Sequence, residues 1–278
     1  MNATMDQRIV DANILVHTAM AATYDTSEPH FKPENKAVVR KHLEHLRAKT
    51  GPRLLDVGCG TGFIIGIVKD LFEEIHGVDI TQAMLDRVDR SSGNITLHRS
   101  VAEKTPFPDN HFDAASAYSF IHHLTDYSEV LKEVHRVLRL GGAFYIDLDP
   151  NKLFWQAIAE AQKGAARYKP SDIVEREIDS VLHTDDRVQK EFGIPAETFN
   201  LAENYKDIQG GIDGQELRDK ALAIGYSSCE VGYYWYLGQG AVLHGQSAEA
   251  AATVESYLMR SLPVSAPLFK YVRFLLVK

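Results

Sequence analysis

Three glycines stand at alternate positions in residues 58–62, between a short apolar run and a helical pattern. The apolar run covers residues 53–57 and contains the acid Asp56, and the helical pattern begins at Ile64. Glycine tolerates positive φ and lets a ligand approach the backbone closely. The arrangement therefore predicts a nucleotide-like ligand where a buried strand passes into a helix, with an unliganded turn as the alternative.

The spacing of the glycines distinguishes two classes of nucleotide ligand. The dinucleotide fingerprint G-x-G-x-x-G would need a glycine at Phe63, whereas this chain has G-x-G-x-G. A second apolar segment, residues 75–78, ends in Asp79, where an acid can accept both ribose hydroxyls of an adenosine. The pattern favours an adenosyl ligand, and a nicotinamide dehydrogenase is the weaker alternative.

These residues resemble the first motif of the class I S-adenosylmethionine-dependent methyltransferases, of the small-molecule, ubiquinone-biosynthesis-like type. Residues 102–113 look like the segment AE-x-x-PF-P-D-x-x-FD of the same family, and residues 119–124 are similar to its segment ending in His-His-Leu. The resemblance covers residues 50–150 well and the remainder only by the order of elements. One departure is Val101, where many relatives have an Asp that contacts the adenine amino group.

The resemblance implies S-adenosylmethionine as the cofactor, lying across the carboxyl ends of the first, second and fourth strands. The backbone at Val101 and Ala102, with Glu103 nearby, would replace the missing acid. For Met84 and Cys59, packing in the core or in the tight turn is the alternative. The predicted cofactor-binding residues are Asp56, Gly58, Cys59, Gly60, Asp79, Ile80, Met84, Val101, Ala102, Glu103, Ser119 and Phe120.

Three residues are candidates for catalysis: His122, His123 and Tyr24. Histidine has a reference pKa near 6.5, which suits it to accept a proton from a nucleophile. A structural role in the turn is the favoured alternative for the histidine pair, and a surface position is the alternative for Tyr24. No metal site is predicted, because adjacent histidines rarely chelate one ion without other ligands at defined spacing.

The predicted reaction is the transfer of a methyl group to an O or N atom of a small molecule by in-line displacement. Most of the acceleration would come from holding the nucleophile near attack distance. Two alternatives are a C-methyltransferase of a small molecule and a protein that binds the cofactor without methylating anything.

The composition of the chain limits the classes of partner that the protein could bind. The 278 residues carry a formal net charge of −8, which disfavours a nucleic-acid partner. No apolar run approaches the roughly 20 residues of a membrane span, and no secretory signal is visible. A small-molecule acceptor, no membrane partner, cytoplasmic residence and a possible homodimer are the expectations.

The elements that hold these residues predict an α/β fold of Rossmann-like type, with a seven-stranded, mostly parallel sheet and helices on both faces. We expect one domain, 1–278, with a cover segment 1–35, a cofactor-binding core 36–150, a helical substrate-cover insertion 151–212 and a C-terminal part of the sheet 213–278.

Four local features complete the prediction. A helix over residues 6–22 is expected on the open edge of the sheet, a loop over 24–35 and a helix over 131–140. By strand alternation, Asp147 and Asp149 should share one face, where they would cap the following helix or, less favoured, orient an amine or a divalent ion.

Overall fold

A computed structural model of the chain describes residues 4–163 and 172–278. Residues 1–3 of the predicted cover segment and 164–171 of the predicted insertion lie outside the described residues. The described chain contains a seven-stranded sheet in the order β3-β2-β1-β4-β5-β7-β6. The strands are β1 Arg53–Val57, β2 Glu74–Asp79, β3 Ile95–Arg99, β4 Phe112–Tyr118, β5 Leu138–Pro150, β6 Ser228–Tyr236 and β7 Phe269–Val277.

The first five strands pair in parallel, and β7 runs antiparallel to both β5 and β6. The predicted mostly parallel, seven-stranded sheet is confirmed. Its central strand β4 is buried along its whole length, as expected for a strand covered by helices on both faces.

Thirteen α-helices are described around this sheet, besides 3₁₀ turns and a short π-helix, Asn204–Ile208. They are α1 Met5–Met20, α2 Tyr24–Ser27, α3 Pro33–Lys49, α4 Phe63–Val68, α5 Gln82–Leu85, α6 Tyr127–Val137, α7 Lys152–Lys163, α8 Asp172–Leu182, α9 Thr184–Phe192, α10 Ala196–Ala202, α11 Gly214–Ile224, α12 Gln239–Gly245 and α13 Ala248–Arg260. No helix in the described ranges is long and apolar enough to cross a membrane.

Two apolar cores lie against the sheet, because successive strand side chains point to opposite faces. One core joins Leu55 and Val57 of β1 to apolar residues of α6 and α11. The other joins Leu54 of the same strand to apolar residues of α3 and α4. Both cores fix the strands whose carboxyl ends carry the predicted site.

The loop predicted over residues 24–35 is wrong. The segment forms α2, a 3₁₀ turn Pro29–Phe31 and the first turn of α3. Pro29 and Pro33 occupy the first positions of helical turns, where a backbone N–H would have no partner within the turn. The prolines therefore start helical turns here.

The helix predicted over residues 131–140 has different ends. It is α6, which begins after the cap Asp126, whose carboxylate accepts from the N–H of Ser128 at 2.8 Å. The helix ends at Val137, and residues 138–140 already belong to β5. Gly141, the residue after the predicted end of the helix, lies inside that strand with φ 76°.

The prediction that Asp147 and Asp149 act together, or cap the next helix, is wrong. The pairing of β5 with β7 shifts register in this stretch, and Leu148 has φ 61°, which ends the simple alternation. Asp147 pairs with Arg273 at 2.8 Å, whereas Asp149 pairs with His122 at 2.7 Å. The carboxamide of Asn151, not either acid, accepts from the first turn of α7.

Helix α1 forms close to the predicted bounds, but its predicted place on the open edge of the sheet is wrong. It packs against α10 of the insertion and beside α5. The contact is apolar: Ala12, Val16 and Met20 form one cluster with Phe199 and Ala202. The N-terminal segment and the insertion therefore meet above the carboxyl ends of the strands.

Candidate active site

A cleft of about 930 Å³, its open mouth included, lies at the carboxyl ends of β1, β2 and β4. Its walls come from α1, the glycine turn after β1, the end of β2 and the segment after β4. The predicted residues in its lining are Tyr24, Gly58, Cys59, Gly60, Asp79, Ile80, Met84, Val101, Ala102, Glu103, Ser119, Phe120 and His123.

The glycine turn is built from residues in the left-handed backbone region, with φ 66° at Gly58 and 52° at Gly60. A Cβ atom on Gly58 would lie 2.0 Å from the ring of Phe120, so this glycine allows the ring to pack on the backbone. A Cβ on Gly60 would meet no atom of the described residues within 4 Å. Gly60 therefore leaves open space beside the backbone, as a ligand-binding turn requires.

The carboxylate of Asp79 is held in one orientation by two backbone N–H groups. Its Oδ2 accepts from Gly60 at 2.9 Å and its Oδ1 accepts from Thr81 at 2.8 Å. A carboxylate has about four acceptor sites, so each oxygen keeps one for a further donor. The geometry suits a neighbouring pair of hydroxyl groups.

Asp56 lies behind the cleft and outside its lining. The side chain is buried, and its Oδ1 accepts from the hydroxyl of Ser116 at 2.7 Å. Burial raises the pKa of Asp56 to about 7, against the lowering effect of the Ser116 hydrogen bond. Among the described residues, its Oδ2 has no partner. In this position the carboxyl group of Asp56 does not contact a ligand in the cleft directly.

The predicted adenine side of the cleft combines an exposed and a buried part. Met84 is 1% exposed, so it packs in the core, and it also lines the cleft; its contact with the adenine stays a prediction. Val101 is 42% exposed at the rim. Thr81 stands at the cap position of α5, but its side chain makes no capping hydrogen bond.

His122 and His123 have different environments although they are neighbours. His122 lies outside the cleft lining, with Nδ1 at 2.7 Å from Asp149 Oδ1. Burial lowers the pKa of His122 to about 4 and raises the pKa of Asp149 well above its usual range. The pair connects the turn after β4 to β5, and the structural role favoured for the histidines from the sequence stays a prediction.

His123 lines the cleft. Its Nδ1–H donates to the carbonyl of Ala202 at 2.8 Å, and since a carbonyl is only an acceptor, the proton of the neutral ring is on Nδ1. The lone pair is therefore on Nε2. Burial, followed by the charge of His122, lowers the pKa of His123 well below its usual value, so the ring is neutral near pH 7.

Tyr24 lies in the cleft lining and not on an open surface. Burial raises the pKa of its phenol, and the charges of Glu28 and Glu203 raise it further. The phenol therefore stays protonated at neutral pH and acts as a hydrogen-bond donor or acceptor.

Three polar residues near this site were not predicted. His17 lines the cleft, donates from Nδ1 to the carbonyl of Asn13 at 2.9 Å and lies edge-on to His123. His30 also lines the cleft, and burial lowers its pKa to about 3. The helical spacing of Ile9, Asn13 and His17 was a signal that these residues share one face of α1.

Glu203, at the end of α10, is the third polar residue near this site that was not predicted. Its oxygens lie 3.7 Å from His122 Nε2 and 3.7 Å from His123 Nδ1. Burial raises its pKa, but Lys206 and the histidines lower it by more, so the group is ionised. No local sequence signal linked this acid to the histidines, because the contact joins the insertion to the segment after β4.

A family profile described as a methyltransferase domain matches residues 55–146. Demethylmenaquinone methyltransferase of Chlorobaculum parvum is 33% identical over 108 residues, which cover 38% of this chain and 45% of that protein. Residues 55–146 therefore carry a methyltransferase domain of the class I S-adenosylmethionine-dependent type. The chain spans about half the length of the curated relatives it matches.

Solved structures share the fold of this chain. Phosphoethanolamine N-methyltransferase 2 of Haemonchus contortus, in complex with S-adenosyl-L-methionine, has a TM-score of 0.58 at 16% identity, covering 100% of this chain and 60% of that chain. The [4+2]-cyclase SpnF has a TM-score of 0.53 at 17% identity, covering 100% of this chain and 98% of that chain. At such identities the likeness concerns the fold alone.

S-Adenosylmethionine is the cofactor of this family, and the residues present fit it. The open space at Gly60 and the two remaining acceptor sites of Asp79 face the same cleft. The specific contacts predicted for each lining residue stay predictions.

Proposed function

We propose that this protein transfers a methyl group from S-adenosylmethionine to an O or N atom of a small molecule. One observation carries the proposal: the carboxylate of Asp79 and the ring of His123 line the same cleft. The carboxylate of Asp79 suits the two hydroxyls of an adenosine ribose, and the neutral imidazole of His123 suits a base that takes a proton from the acceptor.

The cofactor would be held by the glycine turn, by Asp79 and by the backbone of Ser119 and Phe120. When bound, S-adenosylmethionine supplies a methyl group on a positively charged sulfur. The protein has little covalent chemistry to perform, so its residues contribute by positioning the acceptor and managing its proton.

His123 is proposed as the base. Its Nε2 bears the lone pair, because Nδ1–H is engaged with Ala202. A low pKa keeps the ring unprotonated and ready to accept a proton. The imidazolium that forms is stabilised by the carboxylate of Glu203, 3.7 Å from Nδ1. Tyr24, with its protonated phenol, is proposed to orient the acceptor.

The charge of the cleft narrows the acceptor class. In the part of the chain that the structure describes, the lining contains no Lys and no Arg, whereas it contains Asp79 and Glu103. A phosphate or carboxylate on the acceptor would lack a cationic partner there. We therefore propose an uncharged or cationic acceptor.

C-methylation is the second candidate, because the same base would remove the hydroxyl proton that makes an adjacent ring carbon nucleophilic. The match to proteins named demethylmenaquinone methyltransferase supports keeping it. Binding of the cofactor without methyl transfer is the third, since a [4+2]-cyclase has the same fold. The cover role of the insertion, a homodimer, cytoplasmic residence and the absence of a nucleic-acid partner stay predictions.

The test combines binding with product analysis. Calorimetry with S-adenosylmethionine and with S-adenosylhomocysteine measures cofactor binding, and no heat with either contradicts the proposal. Release of S-adenosylhomocysteine is then followed with phenols, amines, hydroquinones and phosphorylated amines as acceptors. NMR of the product locates the methyl group: attachment to carbon would replace the proposal by the second candidate, and turnover of only the phosphorylated amines would contradict the proposed acceptor class.

A further inference from the structure

A group of imidazole and carboxylate side chains lies on β2 and at the start of β4, outside the cleft. Glu74 and His76 project from β2, and His111 immediately precedes β4. One ligand atom from each of these residues lies within 4.8 Å of the other two. The parallel pairing of β1 with both strands brings the residues together, although they are distant in sequence.

We propose that Glu74, His76 and His111 bind a divalent transition-metal ion, with Zn²⁺ as the ion that this ligand set fits. Two imidazoles and one carboxylate form an established zinc ligand set, with bonds of about 2.0–2.2 Å. Softer ions such as Cu(I) prefer sulfur, and harder ions such as Mg²⁺ prefer all-oxygen sites. The two cysteines of the chain, Cys59 and Cys229, are buried elsewhere.

The hydrogen bonds within the group fix the ring of His76. Its Nε2 lies 2.7 Å from Glu74 Oε1, and its Nδ1 lies 3.0 Å from His98 Nε2. The side chain of His76 is only 13% exposed. In the metal-bound state, Nε2 ligates the ion and Nδ1–H donates to His98. A histidine ligand almost always has such a partner for its second nitrogen.

The surroundings are apolar on the inner side. The rings of Phe107 and Phe112 lie edge-on to His76, with centroids 5.2 Å and 5.4 Å away. Both phenylalanines are buried, so they limit access of water on the side of the site that faces the protein interior. Glu74 is half exposed and leaves a path for the ion from solvent.

One cationic side chain, Arg53, lies near the proposed metal site without excluding an ion from it. Arg53 of β1 is the register partner of Glu74, but its Nε lies 3.8 Å from the carboxylate of Asp113. Asp113 also accepts from the backbone N–H of Arg53 at 3.0 Å. Asp113 is shared with Arg139, whose Nη1 lies 2.9 Å from its Oδ1, so this carboxylate offsets only part of the Arg53 charge, and the carboxylate of Glu74 offsets the rest.

A second group with similar separations is His122, His123 and Glu203. It is less suited to an ion. The nitrogen of His123 that lies near Glu203 donates to Ala202, and Lys206 is 3.3 Å from Glu203. The ammonium group of Lys206 therefore already pairs with the carboxylate that an ion would need.

The proposed metal site is independent of methyl transfer. Glu74 begins β2, whereas Asp79, which faces the cleft, ends it. The ion would connect β2 with the start of β4 across β1, so its effect should be on stability. A ligand that binds only the folded state raises the free energy of unfolding.

The test uses the full-length, metal-stripped protein and Co²⁺ as a spectroscopic substitute for Zn²⁺. We expect Co²⁺ to bind in one equivalent with visible absorption bands, to be displaced by Zn²⁺, and Zn²⁺ to raise the melting temperature. His76→Ala and His111→Ala should each weaken binding at least about tenfold, and His98→Ala should weaken it by about 10–100-fold.

Two control variants locate the ion. His45→Ala removes an exposed histidine of α3, and Glu203→Gln changes the second group; both should keep wild-type Co²⁺ affinity. Binding of S-adenosylhomocysteine by each variant checks that it is folded. The proposal is overturned if metal-stripped protein binds no Co²⁺, if folded His111→Ala binds it as well as wild type, or if Glu203→Gln loses it.

Discussion

The backbone N–H of Gly60 donates to Oδ2 of Asp79 at 2.9 Å, which ties the glycine turn after β1 to the last residue of β2. With the second bond from Thr81, it orients the carboxylate before any ligand arrives. A preoriented carboxylate lowers the entropy cost of binding a pair of hydroxyls.

Asp79→Ala should reduce the affinity for S-adenosylhomocysteine more than tenfold. Hydrogen bonds to a charged group contribute about 1.5–3 kcal/mol each, and this variant removes the group that makes them. Calorimetry measures the affinity. Asp86→Ala, which removes an exposed acid after α5, serves as the control and should bind as wild type does.

His123→Gln should lower kcat by about 10²–10⁴-fold, the usual contribution of a general base. Its affinity for S-adenosylhomocysteine should stay close to that of wild type. Steady-state kinetics and calorimetry on the same preparation measure the two effects. A larger loss of kcat in His17→Gln would assign the base to His17, whose Nδ1 is also engaged with a carbonyl.

The two glycines of the turn should respond differently to substitution by alanine. In Gly58→Ala the new Cβ meets the ring of Phe120 at 2.0 Å, so overpacking of about 1–3 kcal/mol adds to the cost of the left-handed backbone. In Gly60→Ala only the backbone cost of about 1–2 kcal/mol applies, but the methyl group projects into the open space of the cleft.

Chemical denaturation and calorimetry test this pair together. We expect Gly58→Ala to be the less stable variant and Gly60→Ala to be folded with at least tenfold weaker cofactor binding, about 1.4 kcal/mol. Normal cofactor affinity in Gly60→Ala would mean that the turn does not contact the ligand.

Stability should fall in acid partly because of His30. Burial, with the charge of Lys36, lowers the folded-state pKa of His30 to about 3, whereas the unfolded pKa is near 6.5. As the pH falls from 6.5 toward 3, the unfolded state binds the proton first, so the stability that is present above pH 6.5 is lost.

The comparison with His30→Phe isolates this group. Between pH 7 and pH 4.5 the wild type should lose about 3 kcal/mol more unfolding free energy than the variant, from two pH units of unequal protonation. Urea denaturation at the two pH values measures the difference. Equal losses in both proteins would show that His30 is protonated in the folded state as easily as in the unfolded chain.

The sequence determined the features that depend on neighbouring residues. A strand, a glycine turn, a helix and an acid at the end of the next strand follow one another in residues 53–79, and the parallel sheet brings them together in only one way. For this reason the fold was predicted correctly, and the glycine turn and Asp79 lie side by side in one cleft, while their contacts with the cofactor stay predictions. The same local pattern carried the resemblance to class I methyltransferases, and that resemblance implied the cofactor.

Only the tertiary structure decided which polar residues meet across elements. Because Leu148 has a left-handed backbone conformation, Asp147 and Asp149 contact different partners. No local sequence pattern predicts a positive φ at a leucine. Glu203 reaches the histidines from a distant insertion, and His17 reaches them from α1. Such contacts depend on how whole helices pack, and packing sums many weak apolar interactions that a linear pattern does not contain.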